Sequence, residues 1–321
     1  MTLDLAVIIV SWNVQSLVLD TLRTLDADLK TSDLKAAIWV LDNASTDGTV
    51  EAIRATFPAV HLIARSDNLG FAGGNNAAMR ELGFCDVPTP NPSGPRAVFL
   101  LNPDTLVKPG AIRALYDGLL GLPKAGMVGA QLFYEDGSFQ HGAFGFPGLA
   151  QIILDLFPLP NRILGHLVDS RLNGRYPRAL YDSGKPFPVD HPLGATMMIR
   201  REVIEQTGIF DEQFYMYCEE IDWSMRIRHA GWEIYNIPMA HITHLAGKST
   251  GQVRPTSLYN LWASRYRLYT KHYAPLKLIL ARFLVRIGMQ LQIRKAQQLD
   301  PAQREPLIAA YRKVIALFTA S

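Results

Sequence analysis

The chain is poor in cysteine. Its 321 residues include two, Cys85 and Cys218. Thiols so far apart, in no metal-ligand spacing, exclude a cystine-stapled scaffold and fit a reducing compartment. The N-terminus lacks a basic stretch followed by an apolar run and a small-residue cleavage site, so no secretory leader is expected. No apolar run of roughly 18 residues is free of charge, so no segment is expected to span a bilayer. Internal repeats and low-complexity tracts are also missing. Acids are scarce at one end. Residues 241–321 hold 13 Lys+Arg and 2 Asp+Glu, against 19 and 27 in residues 1–240. The net charge of +3 thus hides an acidic body with a basic tail. Such a tail points to an anionic partner, lipid or phosphate, or to a solvated pair of basic helices.

Hydrophobic residues make up 48% of the chain, enough for one large domain with or without an appendage. "LAVIIVSWN", "AAIWVLDN", "VHLIAR" and "AVFLLNPD" read as strands, the first apolar from Leu5 to Val10 and so buried on both faces. Helical patterns fall between them. Leu17, Leu22 and Leu25 mark the first, Asp47 is a plausible cap for the second, and "GGNNAAMREL" opens a third behind glycines. Alternation of this kind predicts an α/β fold, a mostly parallel sheet with helices on both faces. Residues 143–190 are rich in proline without clean periodicity and read as an insertion over the sheet. "PLGATMMIRREVIEQTG" is a strand leading into a helix, "CEEIDWSMRIRHAG" a helix stopped by Gly231, and "WEIYNIP" a further strand. The expected organisation is a catalytic domain over 1–254 and a basic helical extension over 255–321.

Ligands of such sheets bind beyond the carboxyl ends of the strands. Three strands end in polar residues there: Ser11-Trp12-Asn13, Asp42-Asn43 and Asn102-Pro103-Asp104. Asp42 has the chemistry to accept the N3–H of a pyrimidine, with Ser11, Asn13 and Asn43 beside it as sugar or base contacts. Asp and Asn also serve as ordinary caps and turns, and three such ends in one sheet weigh against that for all of them. "NLGFAGGNNAA" brings Asn68, Gly73 and Asn76 to a helix entry, where backbone N–H groups can approach phosphate. Asp104 suits Mg²⁺ or Mn²⁺ shared with a diphosphate, and His244, in "HITHLAGKST", can complete such a site. "FYMYCEEIDWSMRIR" supplies Glu219, Glu220 and Asp222. Asp222 and Arg226 are spaced to pair along a helix, Arg226 being a substrate contact if they do not. Glu220 lies off that face and suits a general base.

Together these motifs, in this order over about residues 5–250, resemble glycosyltransferase family 2, in its rhamnosyltransferase-like branch. The resemblance implies a GT-A fold and inverting transfer of a sugar from a nucleotide diphosphate donor to an acceptor hydroxyl, in cell-surface polysaccharide or glycolipid assembly. It implies Asp42 as the base-recognising acid, and Asn68, Gly73 and Asn76 as the donor loop. Asp104 matches the last acid of the metal-binding D-x-D motif, His244 a histidine near the diphosphate, and Glu220 the second acid of the family's Glu-Asp pair, the usual base. The chain departs twice from the pattern, with Asn102 at the first acid of D-x-D and glutamate for aspartate at the base. dTDP-rhamnose is the leading donor, with UDP-hexoses and GDP-sugars behind. A non-catalytic nucleotide-sugar-binding module is the alternative that would explain both departures. A nucleotidyltransferase would want a basic triphosphate loop, and "SWNVQSL" has no Lys or Arg. Nucleic acid is not an expected partner. In 276–295, Arg282, Arg286, Gln290 and Arg294 form one slowly drifting helical stripe. That suits either a helix lying on the inner face of the cytoplasmic membrane or one packed on the catalytic domain or in a homodimer. The expected location is therefore cytoplasmic, peripheral to that membrane in the first case.

Overall fold

A computed structural model describes residues 2–158, 167, 169–245 and 254–319. The last part of the "HLAGKS" motif, residues 246–249, lies outside the described residues. The chain begins β1 (Leu5–Ser11), α1 (Gln15–Leu29), β2 (Ala36–Asp42), α2 (Thr49–Thr56), β3 (His61–Ala64), α3 (Gly70–Glu81) and β4 (Ala97–Leu101). Then follow β5 (Thr105–Val107), α4 (Ala111–Gly121), β6 (Ala125–Phe133), β7 (Phe139–Gln140), β8 (Ala143–Phe144), α5 (Leu149–Leu156) and α6 (Arg178–Asp182). It continues through β9 (Phe187–Val189), β10 (His191–Pro192), β11 (Thr196–Arg200), α7 (Arg201–Thr207), α8 (Glu219–His229) and β12 (Glu233–His244). Three helices close it: α9 (Arg254–His272), α10 (Pro275–Ala296) and α11 (Pro301–Thr319).

Two compact units emerge. The first comprises Met1–Phe144, Arg178–Tyr215 and Glu219–Ser249, the second Gly145–Pro177, Met216–Cys218 and Thr250–Ser321. The proline-rich stretch 143–190 is thus shared between them, its 145–177 portion grouping with the C-terminal helices.

In the first unit the sheet runs β3-β2-β1-β4-β11-β6-β12-β5, with β7 beside β6 and β9 beside β12. β1 pairs in parallel with both β2 and β4. β11 is antiparallel to β4 and to β6, and β12 is parallel to β6. The sheet is therefore mixed, with a parallel run of four strands at one end. β1 is buried because neighbours flank it and helices cover it, which is why it reads as a nearly unbroken apolar run. α1 buries Val18, Leu22 and Leu25, with Thr21 and Asp28 on the same face. Of the expected stripe, Leu22 and Leu25 are buried, whereas Leu17 is only half-buried and Val18 takes its place on the buried face. Both polar residues on that face act across it. Asp28 accepts the backbone N–H groups of Gly110 and, at 2.9 Å, of Ile112, so it caps α4 from outside.

The second unit is helical. Arg265 of α9 pairs with Asp155 of α5 at 2.6 Å, and Gly288 of α10 leaves room for Leu156. A Cβ at 288 would stand 2.5 Å from the Leu156 Cβ. The expected arginine stripe is split. Arg286, Gln290 and Arg294 are exposed, whereas the Arg282 guanidinium donates to the Tyr266 hydroxyl at 2.7 Å. No described helix is long and apolar enough to cross a membrane.

Candidate active site

The ends of β1 and β2 meet in register, Ser11 opposite Asp42. Burial leaves Asp42 1% exposed, so its carboxylate must be satisfied locally. Ser11 Oγ donates to Oδ2 at 3.0 Å and Ser45 Oγ to Oδ2 at 2.6 Å, while the Ser45 N–H donates to Oδ1 at 2.8 Å. Oδ1 therefore carries one bond and keeps capacity for another. Asn13 (φ 52°) and Ala44 (φ 59°) turn left-handed just past the two strands. That lets the Asn13 N–H reach Ser45 Oγ (2.8 Å) and Asn13 Oδ1 receive the Thr46 N–H (2.8 Å). Ser45 ties the two ends together. The sequence signal for Ser45 is local, an Asp with a serine three residues on.

Asp47 caps two helices at once. Its Oδ2 accepts the Gln15 N–H at 2.9 Å, where α1 begins, and its Oδ1 the Thr49 N–H at 3.2 Å, where α2 begins. Burial is the largest single influence and opposes its ionisation, but the bonds from Thr49 and Gln15 together outweigh it and hold its pKa below the usual range.

The glycine-rich stretch differs from expectation in a specific way. α3 starts at Gly70, so Gly73 and Gly74 lie inside its first turns and not ahead of it. A Cβ at 74 would meet Val10 Cγ1 at 2.8 Å and Leu41 Cδ2 at 3.2 Å. That glycine lets the helix lie against β1 and β2. Asn68 Oδ1 accepts the Gly70 N–H at 2.8 Å, and Asn43 spends its amide on Gly70 O (3.0 Å) and the Leu69 N–H (3.2 Å). Asn43 thus positions the loop. Asn76, fully buried, donates to Phe210 O and Glu212 Oε1 at 2.9 Å and accepts the Phe210 N–H at 3.0 Å. Its amide is committed to the segment that leads towards α8.

Asp104 lies in the turn between β4 and β5. β5 pairs with the end of β12, His244 opposite Thr105. That register sets His244 Nε2 3.5 Å from Asp104 Oδ1. Asp104 is 2% exposed and His244 8%, yet Oδ1 and Nδ1 have no hydrogen-bond partner among the described residues. The 3.5 Å approach is long for a hydrogen bond. The turn is held by Thr21 of α1, whose buried hydroxyl lies 2.8 Å from both Pro103 O and Thr105 O and accepts the Thr105 N–H at 3.2 Å. Nothing local in the sequence marked Thr21. Among the described residues, no three His, Cys, Asp or Glu side chains cluster as a metal site.

α8 separates its three acids. Asp222, fully buried, pairs with Arg226 Nε at 3.0 Å. Arg226 also donates to Ile209 O at 2.8 Å and to Thr207 O at 2.5 Å. The pair spacing predicted from the sequence is realised, and it commits both residues to packing. Glu219 is 5% exposed and its Oε2 has no partner among the described residues. Burial, and after it the charge of Glu220, pushes its pKa well above the usual carboxylate range. Glu220 is half-exposed, with Cγ 3.9 Å from where a Cβ on Gly194 would stand. The next residue, Ala195, accepts the Asn102 N–H at 3.0 Å, so Glu220 borders the strand connection that supports the Asn102–Asp104 turn.

A mixed sheet whose parallel strand ends gather Asp42, Asp104 and a helix-borne acid is the arrangement of a GT-A glycosyltransferase using a nucleotide-sugar donor. Comparison with known proteins agrees: residues 4–258 match the glycosyltransferase like family 2 model, and the chain belongs to that family. It is 30% identical over 224 residues, 67% of this chain and 68% of the relative, to an N-acetylglucosaminyl-diphospho-decaprenol L-rhamnosyltransferase of Mycobacterium tuberculosis (strain CDC 1551 / Oshkosh). It is 25% identical over 227 residues, 71% of this chain and 64% of the relative, to the low-salt glycan biosynthesis hexosyltransferase Agl10 of Haloferax volcanii. The fold is similar to the mannosyltransferase PcManGT from Pyrobaculum calidifontis, solved with GDP-Man and Mn²⁺. There the TM-score is 0.56 at 18% identity, covering 99% of this chain and 85% of that one. GalNAc-T7, solved with UDP, GalNAc and Mn²⁺, gives a TM-score of 0.58 at 15% identity, covering 99% and 56%. The chain is accordingly a glycosyltransferase, which sets aside the non-catalytic and nucleotidyltransferase readings.

Proposed function

We propose that this enzyme transfers rhamnose from dTDP-rhamnose, with inversion, to a hydroxyl of a lipid-linked glycan acceptor. The observation that carries the chemistry is the separation of the three acids on α8. Asp222 is committed to Arg226 and Glu219 is buried, while Glu220 alone is half-exposed. Glu220 takes the proton of the acceptor hydroxyl as that oxygen attacks the anomeric carbon. The new C–O bond forms on the face opposite the breaking one, and the nucleoside diphosphate leaves with the electron pair. A single displacement inverts the anomeric configuration. The one free bonding direction of Asp42 Oδ1 favours a pyrimidine, whose N3–H it would accept. Sugar and acceptor class follow the mycobacterial relative, an L-rhamnosyltransferase named for a diphospho-decaprenol substrate.

Asp104 and His244 fit a divalent cation. Among the described residues Oδ1 and Nδ1 are buried without partners, which is costly unless something charged or polar completes them. Two protein ligands are enough for Mg²⁺ or Mn²⁺, which share substrate phosphates and keep waters. A cation there would supply positive charge at the leaving diphosphate. Structural neighbours solved with Mn²⁺ support this reading.

The test is a donor panel of dTDP-rhamnose, UDP-hexoses and GDP-mannose, read as nucleoside diphosphate release. dTDP-rhamnose should turn over fastest. Glu220→Gln should bind donor normally and lose transfer by about 10²–10⁴-fold, the usual cost of removing a general base. Wild-type transfer by Glu220→Gln beside an inactive Asp222→Asn would move the base to the other acid. Preference for GDP-mannose would overturn the donor assignment.

A further inference from the structure

Helix α10 is apolar on two opposite faces. One face is buried in its own unit through Ala281, Val285, Gly288 and Met289. The other carries Leu276, Ile279, Leu280 and Phe283, spaced i, i+3, i+4 and i+7, and these are 70%, 61%, 42% and 58% exposed. Single exposed apolar residues are ordinary, but four in one stripe mark a surface that meets something. Further along the same side the helix turns polar, with Arg286, Gln290 and Arg294 exposed. α10 has five Lys or Arg and no acid.

We infer that this face docks on a lipid bilayer bearing anionic headgroups. The apolar half, Leu276 to Phe283, enters the acyl boundary, and Arg286 and Arg294 meet headgroup phosphates. Charge complementarity selects lipid over a second copy of the chain. Residues 254–319 contain twelve Lys or Arg and two Asp or Glu. A symmetric dimer through α10 would set these cations against their own copies, whereas an anionic leaflet attracts them. The docking stripe is therefore the apolar one. Arg282, which the regular spacing alone would include, is held by Tyr266. The inference rests on the lipid-linked acceptor proposed above, since docking would hold the enzyme on the membrane that carries such an acceptor.

The experiment is cosedimentation of the full chain with vesicles, without donor or acceptor, so its outcome is independent of the transfer reaction. Neutral phosphatidylcholine vesicles are compared with vesicles containing about 30 mol% phosphatidylglycerol. Binding should need the anionic lipid. It should weaken at about 1 M salt, where the Debye length falls to ~3 Å. Ile279→Ser/Phe283→Ser should lower vesicle affinity at least tenfold while donor hydrolysis and the urea midpoint stay unchanged. Arg286→Gln/Arg294→Gln should weaken binding to the anionic vesicles alone. Absence of binding, or binding insensitive to lipid charge and to both double variants, would overturn the inference. So would a lipid-free dimer that Ile279→Ser/Phe283→Ser converts to monomer, because the stripe would then be a self-association surface.

Discussion

Thr21→Val replaces a hydroxyl by a methyl of nearly the same size, so packing on α1 is preserved and only polar contacts are lost. The hydroxyl is fully buried and serves both residues that flank Asp104: it lies 2.8 Å from the carbonyls of Pro103 and Thr105 and takes the Thr105 N–H at 3.2 Å. Its single hydrogen divides between two carbonyls, each with a second lone pair, so the N–H is the group left most clearly stranded. A buried group orphaned in this way costs about 1–3 kcal/mol, and no water replaces the hydroxyl in a space filled by a methyl. Thr24→Val is the control, one turn along the same helix. Thr24 is only partly buried, and the Val107 N–H it accepts at 3.1 Å is away from Asp104. The control should lose about 1 kcal/mol or less, the net worth of one ordinary hydrogen bond. Urea unfolding reads the stability difference, and calorimetric titration with Mn²⁺ plus nucleoside diphosphate reads the site. Thr21→Val should weaken Mn²⁺ binding with an unchanged unfolding slope, because the Asp104 turn relaxes while the rest of the sheet holds. A Thr21→Val protein as stable as wild type, with the same Mn²⁺ titration, would refute Thr21 as the support of that turn.

Three further expectations follow from local geometry. Gly74→Ala gains up to about 1 kcal/mol of helix propensity but sets a methyl 2.8 Å from Val10 Cγ1; overpacking of that kind costs about 1–3 kcal/mol. The net urea midpoint should therefore fall, and a rise would mean that α3 shifts freely. Glu219 has its folded pKa raised, by burial first and the charge of Glu220 second. Its contribution is fully present below the unfolded carboxylate pKa, about 4.3, and is lost as pH rises through the folded value. Glu219→Gln should flatten that decline in melting temperature across the window, and an unchanged pH profile would show that Glu219 titrates normally. Asp42→Ala removes the acceptor for Ser11 and Ser45 as well as the proposed base contact. It should weaken dTDP binding in calorimetry, and unchanged affinity would leave Asp42 a purely structural residue.

The parallel strands, the helix holding the three acids and the sheet-end position of Asp42 and Asp104 were legible in the sequence. Each rests on a local signal: an apolar run whose length fits a buried strand, a periodicity, or a polar residue that abruptly ends a strand. The Asp222–Arg226 pair was readable for the same reason, because helical spacing alone fixes it. Other assignments depended on partners remote in the chain. Asn43 and Asn76 read as donor contacts from their motif, yet their amides are spent on Gly70 and Phe210. The glycines of "NLGFAGGNNAA" read as a helix entry whose N–H groups can approach phosphate, but Gly74 lies inside α3 and serves its approach to Val10 and Leu41. Residue spacing determined which groups could share a face. The tertiary structure alone decided which of those faces met another element and which met solvent. Pairing of β5 with β12 brings His244 to Asp104 across 140 residues of chain. Burial separates Glu219 from Glu220, neighbours of identical chemistry. Packing of α10 through Gly288 leaves its opposite apolar stripe outside. Each is a long-range contact, and its energy depends on geometry that no window of sequence contains.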